Sequence, residues 1–196
     1  MANTQEDQDI REHIIKVAMD VFVKFGYKKT TMNDISRATN KARSSLYYYF
    51  SNKEEIFEAI VKKETQILTE TISKAISKEK TSQGKLRSYI SVRMRFFQLK
   101  GHLYGSGINQ YWENIDFIDK LRQDFDKQEF EVIREILREG VKTGSFATKE
   151  AESTARSITI ALKGLETYWL KEKDIKRSEK VLDNLLEVFF KGLDKR

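Results

Sequence analysis

Eight consecutive residues, Arg43 to Phe50 (RSSLYYYF), bring together one guanidinium, two serine hydroxyls and three adjacent tyrosines. These groups donate hydrogen bonds to the phosphates and base edges of nucleic acid. Successive side chains of an α-helix are about 100° apart, so three neighbouring tyrosines span about 200° and cannot all face one core. At least one therefore stays on the surface beside Arg43, Ser44 and Ser45. The charge agrees: from Lys28 to Lys53 the bases are Lys28, Lys29, Arg37, Lys41, Arg43 and Lys53, and Asp34 is the only acid. Six minus one leaves +5 of the chain's net +6 in this stretch. The competing interpretation, a buried β-strand flanked by solvating lysines, fits poorly with the adjacent serines and the helical periodicity on both sides.

The flanking residues supply the elements that would position those donors. Thr31 followed by Asp34 is a capping-box pattern, and Met32, Ile35 and Ala38 recur at helical spacing behind it. Asn40 tolerates the left-handed backbone that ends a helix and turns the chain. A second short helix from Ala42 or Arg43 then turns Leu46 and Phe50 inward. Ser51 with Glu54 predicts another capping box and the start of a long helix, Asn52 to Ser77, with Ile56, Phe57, Ile60, Val61, Leu68, Ile72 and Ile76 on its apolar side. Upstream, Ile10, Ile14, Val17, Ala18, Val21, Phe22 and Phe25 predict a first helix ending at Gly26, after eight residues without structure. Helix, tight turn, helix is the arrangement whose second member enters the DNA major groove.

The segment IIKVAMDVFVKFGYKKTTMNDISRATNKARSSLYYYFSNKEEIFEAI resembles the DNA-binding domain of the TetR (tetracycline-repressor) family of bacterial transcriptional regulators. Ala18, Phe22, Gly26, Tyr27, Thr31, Ile35 and Ala38 carry the likeness, followed by Leu46, Tyr47, Tyr49, Phe50, Lys53 and Glu54. Asn40 stands where the family has a turn glycine, Lys41 where it has an apolar residue, and Ala42 where it has a serine-like cap. The resemblance implies an all-α fold: an N-terminal three-helix helix-turn-helix domain (1–53) joined by a long helix to a C-terminal helical bundle for ligand binding and dimerisation (54–196). It implies base-edge contacts from Asn33, Arg43, Ser44 and Tyr47, and phosphate contacts from Thr31, Ser45, Tyr48, Tyr49 and Lys53. The implied function is a homodimeric repressor released from an inverted-repeat operator in double-stranded DNA by a small-molecule effector. A DNA binder whose body meets a protein partner instead is the alternative.

The chain has 196 residues, no proline and no cysteine, and Gly26 is the only glycine before Gly84. Such a chain has few helix breakers and no thiol for a disulfide, a nucleophile or a metal. His13 and His102 lack the partners of a metal site, and no phosphate loop, GxSxG or HExxH occurs. Carboxylate pairs such as Glu54/Glu55 and Asp124/Asp126 fall on polar helix faces. The expectation is a protein without enzymatic activity, cofactor or metal. The polar N-terminus and the lack of a long apolar run point to a cytoplasmic protein with no membrane partner.

Beyond the long helix, KEKTSQG (Lys78 to Gly84) reads as a loop, and Leu86, Ile90, Met94 and Phe97 form the stripe of a further helix. The glycine-rich GHLYGSG (Gly101 to Gly107) precedes a possible short helix from Ile108 to Ile115. Helices follow from about Phe117 to Glu139 (Ile118, Leu121, Phe125, Val132 and Ile136), from Thr148 to Leu170 and from Asp174 to Gly192. The break beside Tyr104 and Trp112 suggests a ligand pocket with Met94, Phe97 and Phe125 for a largely apolar effector. The last two helices carry more than one apolar stripe. With the resemblance, this implies a two-fold interface using Ile158, Leu162, Leu165, Leu182, Leu185 and Phe189.

Overall fold

The computed structural model describes residues 2–100, 115–148, 150–172 and 174–193. Among them are eight α-helices and no strand. In chain order these are α1 (Ala2–Phe25), α2 (Met32–Ala38), α3 (Arg43–Tyr49), α4 (Lys53–Ile76), α5 (Ser82–Lys100), α6 (Ile115–Lys142), α7 (Ala151–Lys171) and α8 (Ile175–Leu193). Among the described residues these form two compact units: 2–65 with 115–122, and 66–100 with those from 123 to 193.

In the first unit α1 packs on α2 and α2 on α3. Its core is the expected periodic set: Ile14, Ala18, Phe22, Ile35, Leu46, Phe50, Ile56, Phe57 and Ile60 are all buried. The rings of Phe22, Tyr27 and Phe57 meet at 4.8–5.8 Å, and Phe117, on the first turn of α6, stacks on Tyr27 and Phe57 at 6.1 and 5.8 Å. Gly26 ends α1 with φ 84°, a left-handed position that glycine adopts without a Cβ clash.

Three expectations here are corrected. Helix α1 begins at Ala2, so its N-terminal turns are not unstructured. Phe25 is half exposed and leaves the core stripe to Phe22. The α4 cap is displaced by one residue: Asn52 Oδ1 accepts from the Glu55 amide at 2.8 Å, and Glu55 accepts from the Ser51 amide at 2.9 Å. Glu54 is thereby free to accept the Tyr27 hydroxyl at 3.0 Å.

In the second unit α5 packs against α7 and α8. Leu68, Ile72, Leu86, Ile90, Met94, Ile133, Leu137, Leu162 and Leu186 are buried there. The loop before α5 is shorter than expected because Thr81 Oγ1 accepts from the Gly84 amide at 3.0 Å, which places Gly84 inside the helix. Gly140 likewise lies within α6, and the chain turns at Gly144, whose φ is 75°. Val132 is exposed, and Ile133 and Leu137 take the core positions on that helix. The expected glycine-rich break, Tyr104, Trp112, His102 and the short helix before Ile115 fall in 101–114, outside the described residues.

Candidate nucleic-acid interface

Helices α2 and α3 are both seven residues long, too short to persist without tertiary support. The capping box at α2 has both halves. The Asp34 amide donates to Thr31 Oγ1 at 3.3 Å, and the Thr31 amide donates to Asp34 Oδ2 at 2.9 Å. The hydrogen bonds from Thr31 hold the Asp34 carboxyl below its ordinary pKa. Asn40 has φ 52°, the left-handed turn expected of it. Around it Ser36 and Lys41 clasp each other: Ser36 Oγ donates to the Lys41 carbonyl at 2.7 Å, and the Lys41 amide donates to the Ser36 carbonyl at 3.2 Å. Ala42 caps α3 without a side-chain hydrogen bond, so this helix depends on packing by Leu46 and Phe50.

With those two residues turned inward, the opposite side of α3 faces solvent. Arg43 and Ser44 are exposed, Ser45 and Tyr49 half-buried, and Tyr47 and Tyr48 are 41% and 74% exposed. The Arg43 guanidinium lies 5.5 Å from the Tyr47 ring centroid, a cation–π contact that steers it along this face. On α2 and its cap, Asn33 and Thr31 are exposed as well. The structure thus gathers eight of the nine predicted DNA-contact residues on and around the two short helices.

The ninth, Lys53, is engaged elsewhere. Its Nζ donates to the carbonyls of Tyr27, Lys28 and Thr30 at 3.0, 3.3 and 3.2 Å and sits 4.6 Å from the Tyr27 ring centroid. An ammonium has three protons, and three carbonyls take them. Lys53 therefore ties the turn after α1 to the start of α4. Burial and the Glu54 carboxylate raise the pKa of Tyr27 in the same cluster.

A polar site that the sequence reading missed lies in the second unit. Arg93 on α5, Glu129 on α6 and Glu166 on α7 are all but fully buried. The Arg93 guanidinium bonds to both glutamates, reaching Glu129 Oε2 at 3.1 Å, and the Tyr89 hydroxyl donates to Glu129 Oε1 at 2.9 Å. One guanidinium faces two carboxylates, and burial raises the pKa of Glu129 above the ordinary carboxylate range. A legible signal existed: Arg93 lies between Ile90 and Phe97, Glu129 between Phe125 and Ile133, and Glu166 between Leu162 and Trp169, each in the register of an apolar stripe.

Glu129 and Tyr89 also border a cavity of about 640 Å³ walled by Ile72, Ile76, Phe125 and Val132. Of the residues expected around an effector, Phe125 lines this cavity. Met94 and Phe97 do not: they are buried on α5, where Arg93 contacts the Met94 sulfur and the Phe97 ring. In the second unit's last two helices Ile158, Leu162 and Leu182 are consumed by the chain's own core, while Leu165, Leu185 and Phe189 are half-buried. Ile160 and Val188 are 67% and 65% exposed.

Two short helices clasped at a left-handed turn, with an exposed basic and hydroxyl face on the second, define a helix-turn-helix DNA-binding protein. Residues 14–60 match the model of bacterial regulatory proteins of the tetR family, and residues 70–195 match that of the QacR-like protein C-terminal region. The chain belongs to the TetR family, and it is a DNA-binding transcriptional regulator. It is 23% identical to the HTH-type transcriptional regulator QacR of Staphylococcus aureus (strain Mu50 / ATCC 700699), over 95% of this chain and all of that one. It is 42% identical over 52 residues to the IcaR negative regulator of the biofilm operon icaADBC of Staphylococcus epidermidis, covering 26% of this chain and 28% of that one. A TetR transcriptional regulator from Chloroflexus aurantiacus J-10-FL shares the fold with a TM-score of 0.77 and 19% identity, over 98% of this chain and all of that one. Among the described residues no helix is long and apolar enough to cross a membrane.

Proposed function

We propose that the protein is a homodimeric repressor whose α3 enters the major groove of an inverted-repeat operator, and that a small molecule in the second unit releases it. The observation that carries this reading is the donor face of α3, with Arg43, Ser44, Tyr47 and Tyr48 turned to solvent behind a buried Leu46. In this reading residues 1–53 bind DNA and residues 54–196 sense the effector and pair the subunits. Arg43, Ser44, Tyr47 and Asn33 take base edges; Thr31, Ser45, Tyr48 and Tyr49 take phosphates. The kinship with a negative regulator of the icaADBC operon supports repression over activation.

The cavity beside Glu129 suits a mostly apolar molecule carrying one cationic or hydrogen-bond-donating group. Ile72, Ile76, Phe125 and Val132 give it an apolar wall, and the carboxylates of Glu129 and Glu131 border it with the single ammonium of Lys127. A ligand of that kind acts only if it binds one spacing of the dimer's two DNA-binding domains better than the other. The effect must then be reciprocal, with DNA weakening ligand binding by the same factor as ligand weakens DNA binding, typically ~5- to 150-fold. Genomic fragments selected by the protein supply the operator. Titration with tetraphenylphosphonium and with neutral tetraphenylmethane, each with and without that operator, tests the coupling. Equal affinity in both states would leave the second unit to a protein partner.

A further inference from the structure

We propose that Asp7 competes with the DNA backbone for the hydroxyl of Tyr49 and so restrains the sequence-independent part of DNA affinity; the inference rests on the assignment of Tyr49 to a phosphate. The first turns of α1 lie against the end of the recognition helix through two side chains one turn apart. The Tyr49 hydroxyl donates to Asp7 Oδ1 at 2.9 Å, and the Arg11 guanidinium sits 4.7 Å from the ring centroid of Phe50. Asp7 and Arg11 continue, back toward the N-terminus, the stripe that carries Ile14 and Ala18 into the core, so packing of α1 places the carboxylate there.

A tyrosine hydroxyl has one proton to donate. A phosphate oxygen is acceptor-only and needs that proton, and so does the Asp7 carboxylate. Tyr49 therefore serves one anion at a time. The bond to Asp7 and the nearby Glu6 carboxylate both disfavour the phenolate, whose pKa is pushed up to about 12, so the hydroxyl keeps the proton for which the two anions compete. In the free protein the hydroxyl donates its hydrogen bond to Asp7. On DNA it donates to a backbone phosphate instead, and the carboxylate is left to water beside a phosphate that repels it. Every duplex incurs this exchange, so Asp7 lowers the affinity for DNA of any sequence. The ratio of operator to random-sequence affinity, set by base-edge contacts, is left unchanged.

The test uses the full-length protein and a random-sequence duplex of about 30 base pairs, roughly three helical turns, because phosphate contacts are read without sequence. Binding is followed by fluorescence anisotropy for wild type, Asp7→Ala, Tyr49→Phe and the double variant, with thermal melts confirming that each is folded. Asp7→Ala should tighten binding by about 2- to 10-fold, the net value of one ordinary hydrogen bond. The gain should vanish in the Tyr49→Phe background, and Asp7→Asn should fall between wild type and Asp7→Ala. A gain that persists without the Tyr49 hydroxyl would overturn the exchange and leave charge repulsion alone. Unchanged or weaker binding by a folded Asp7→Ala would overturn it in favour of a scaffold role for the contact. If Tyr49→Phe changes nothing in the Asp7→Ala background, where no carboxylate competes, the phosphate assignment of Tyr49 fails, and the exchange with it. Absence of binding by wild type would instead count against the DNA-binding reading itself.

Discussion

Arg43 and Lys53 are cations on one basic stretch of chain, yet their surroundings give them different work. Arg43 is exposed at the start of α3 and touches only the face of Tyr47 among aromatic neighbours. Lys53 has its three protons on three carbonyls of the turn between α1 and α2. Arg43→Ala should therefore cost about 1 to 3 kcal/mol of operator affinity and relax the preference for one sequence, with melting unchanged. Lys53→Ala should leave three carbonyls without their donor and lower stability, on the order of 2 kcal/mol. The slope of DNA affinity against salt, which falls by about one for each lost phosphate contact, should stay as in wild type. Anisotropy titrations across a salt series, paired with thermal melts, separate the two outcomes; a shallower slope for Lys53→Ala would return that residue to the backbone contacts.

Short elements here survive on what holds their ends. Helix α2 has a complete capping box, whereas α3 has none and is kept by Leu46, Phe50 and the clasp of Ser36 with Lys41. At the far end of α6 the device is steric. A Cβ on Gly140 would lie 2.1 Å from a ring carbon of Phe146, which is itself buried and closes the turn by donating its amide to the Gly140 carbonyl at 3.0 Å. Gly140 is thus needed for the close approach of that ring, not for its backbone freedom. Gly140→Ala should destabilise the protein by about 1 to 3 kcal/mol through overpacking. Urea unfolding would show it as an earlier midpoint, with Phe146→Leu in the same chain recovering part of the loss.

For the whole molecule the question is which apolar stripe of α7 and α8 is left for a second copy. On α8 Leu182, Leu186, Phe190 and Leu193 are buried, and the neighbouring stripe of Val181, Leu185 and Val188 lies toward solvent. On α7 Ile158 and Leu162 are buried, and Ile160 projects from the other side, with Gly164 one turn on and open space beyond it. In the proposed dimer the two-fold interface would then use Ile160, Leu165, Leu185, Val188 and Phe189. Val188→Glu should give a monomer by light scattering whose helix content and melting match wild type, and which loses tight binding to an inverted repeat. Leu162→Glu should instead unfold the second unit, because an unpaired charge would be buried among its helices. A dimeric Val188→Glu protein would place the interface elsewhere.

Local chemistry carried most of the fold in the sequence itself. Capping pairs, a left-handed Asn40, a helix-ending Gly26 and the 3.6-residue rhythm are properties of neighbouring residues, so α2, α3, the end of α1 and the all-helical class were legible before any packing was known. The donor face of α3 was legible for the same reason: angular spacing alone forbids three adjacent tyrosines from facing one core. Tertiary structure decided what depends on residues distant in the chain. It drew Lys53 onto carbonyls more than twenty residues upstream, set Asp7 against Tyr49, and gathered Arg93, Glu129 and Glu166 from three helices into one buried cluster. It also chose which of two adjacent stripes on α7 and α8 faces the core. Periodicity marks both as apolar, but only the partner helices determine which one loses its water.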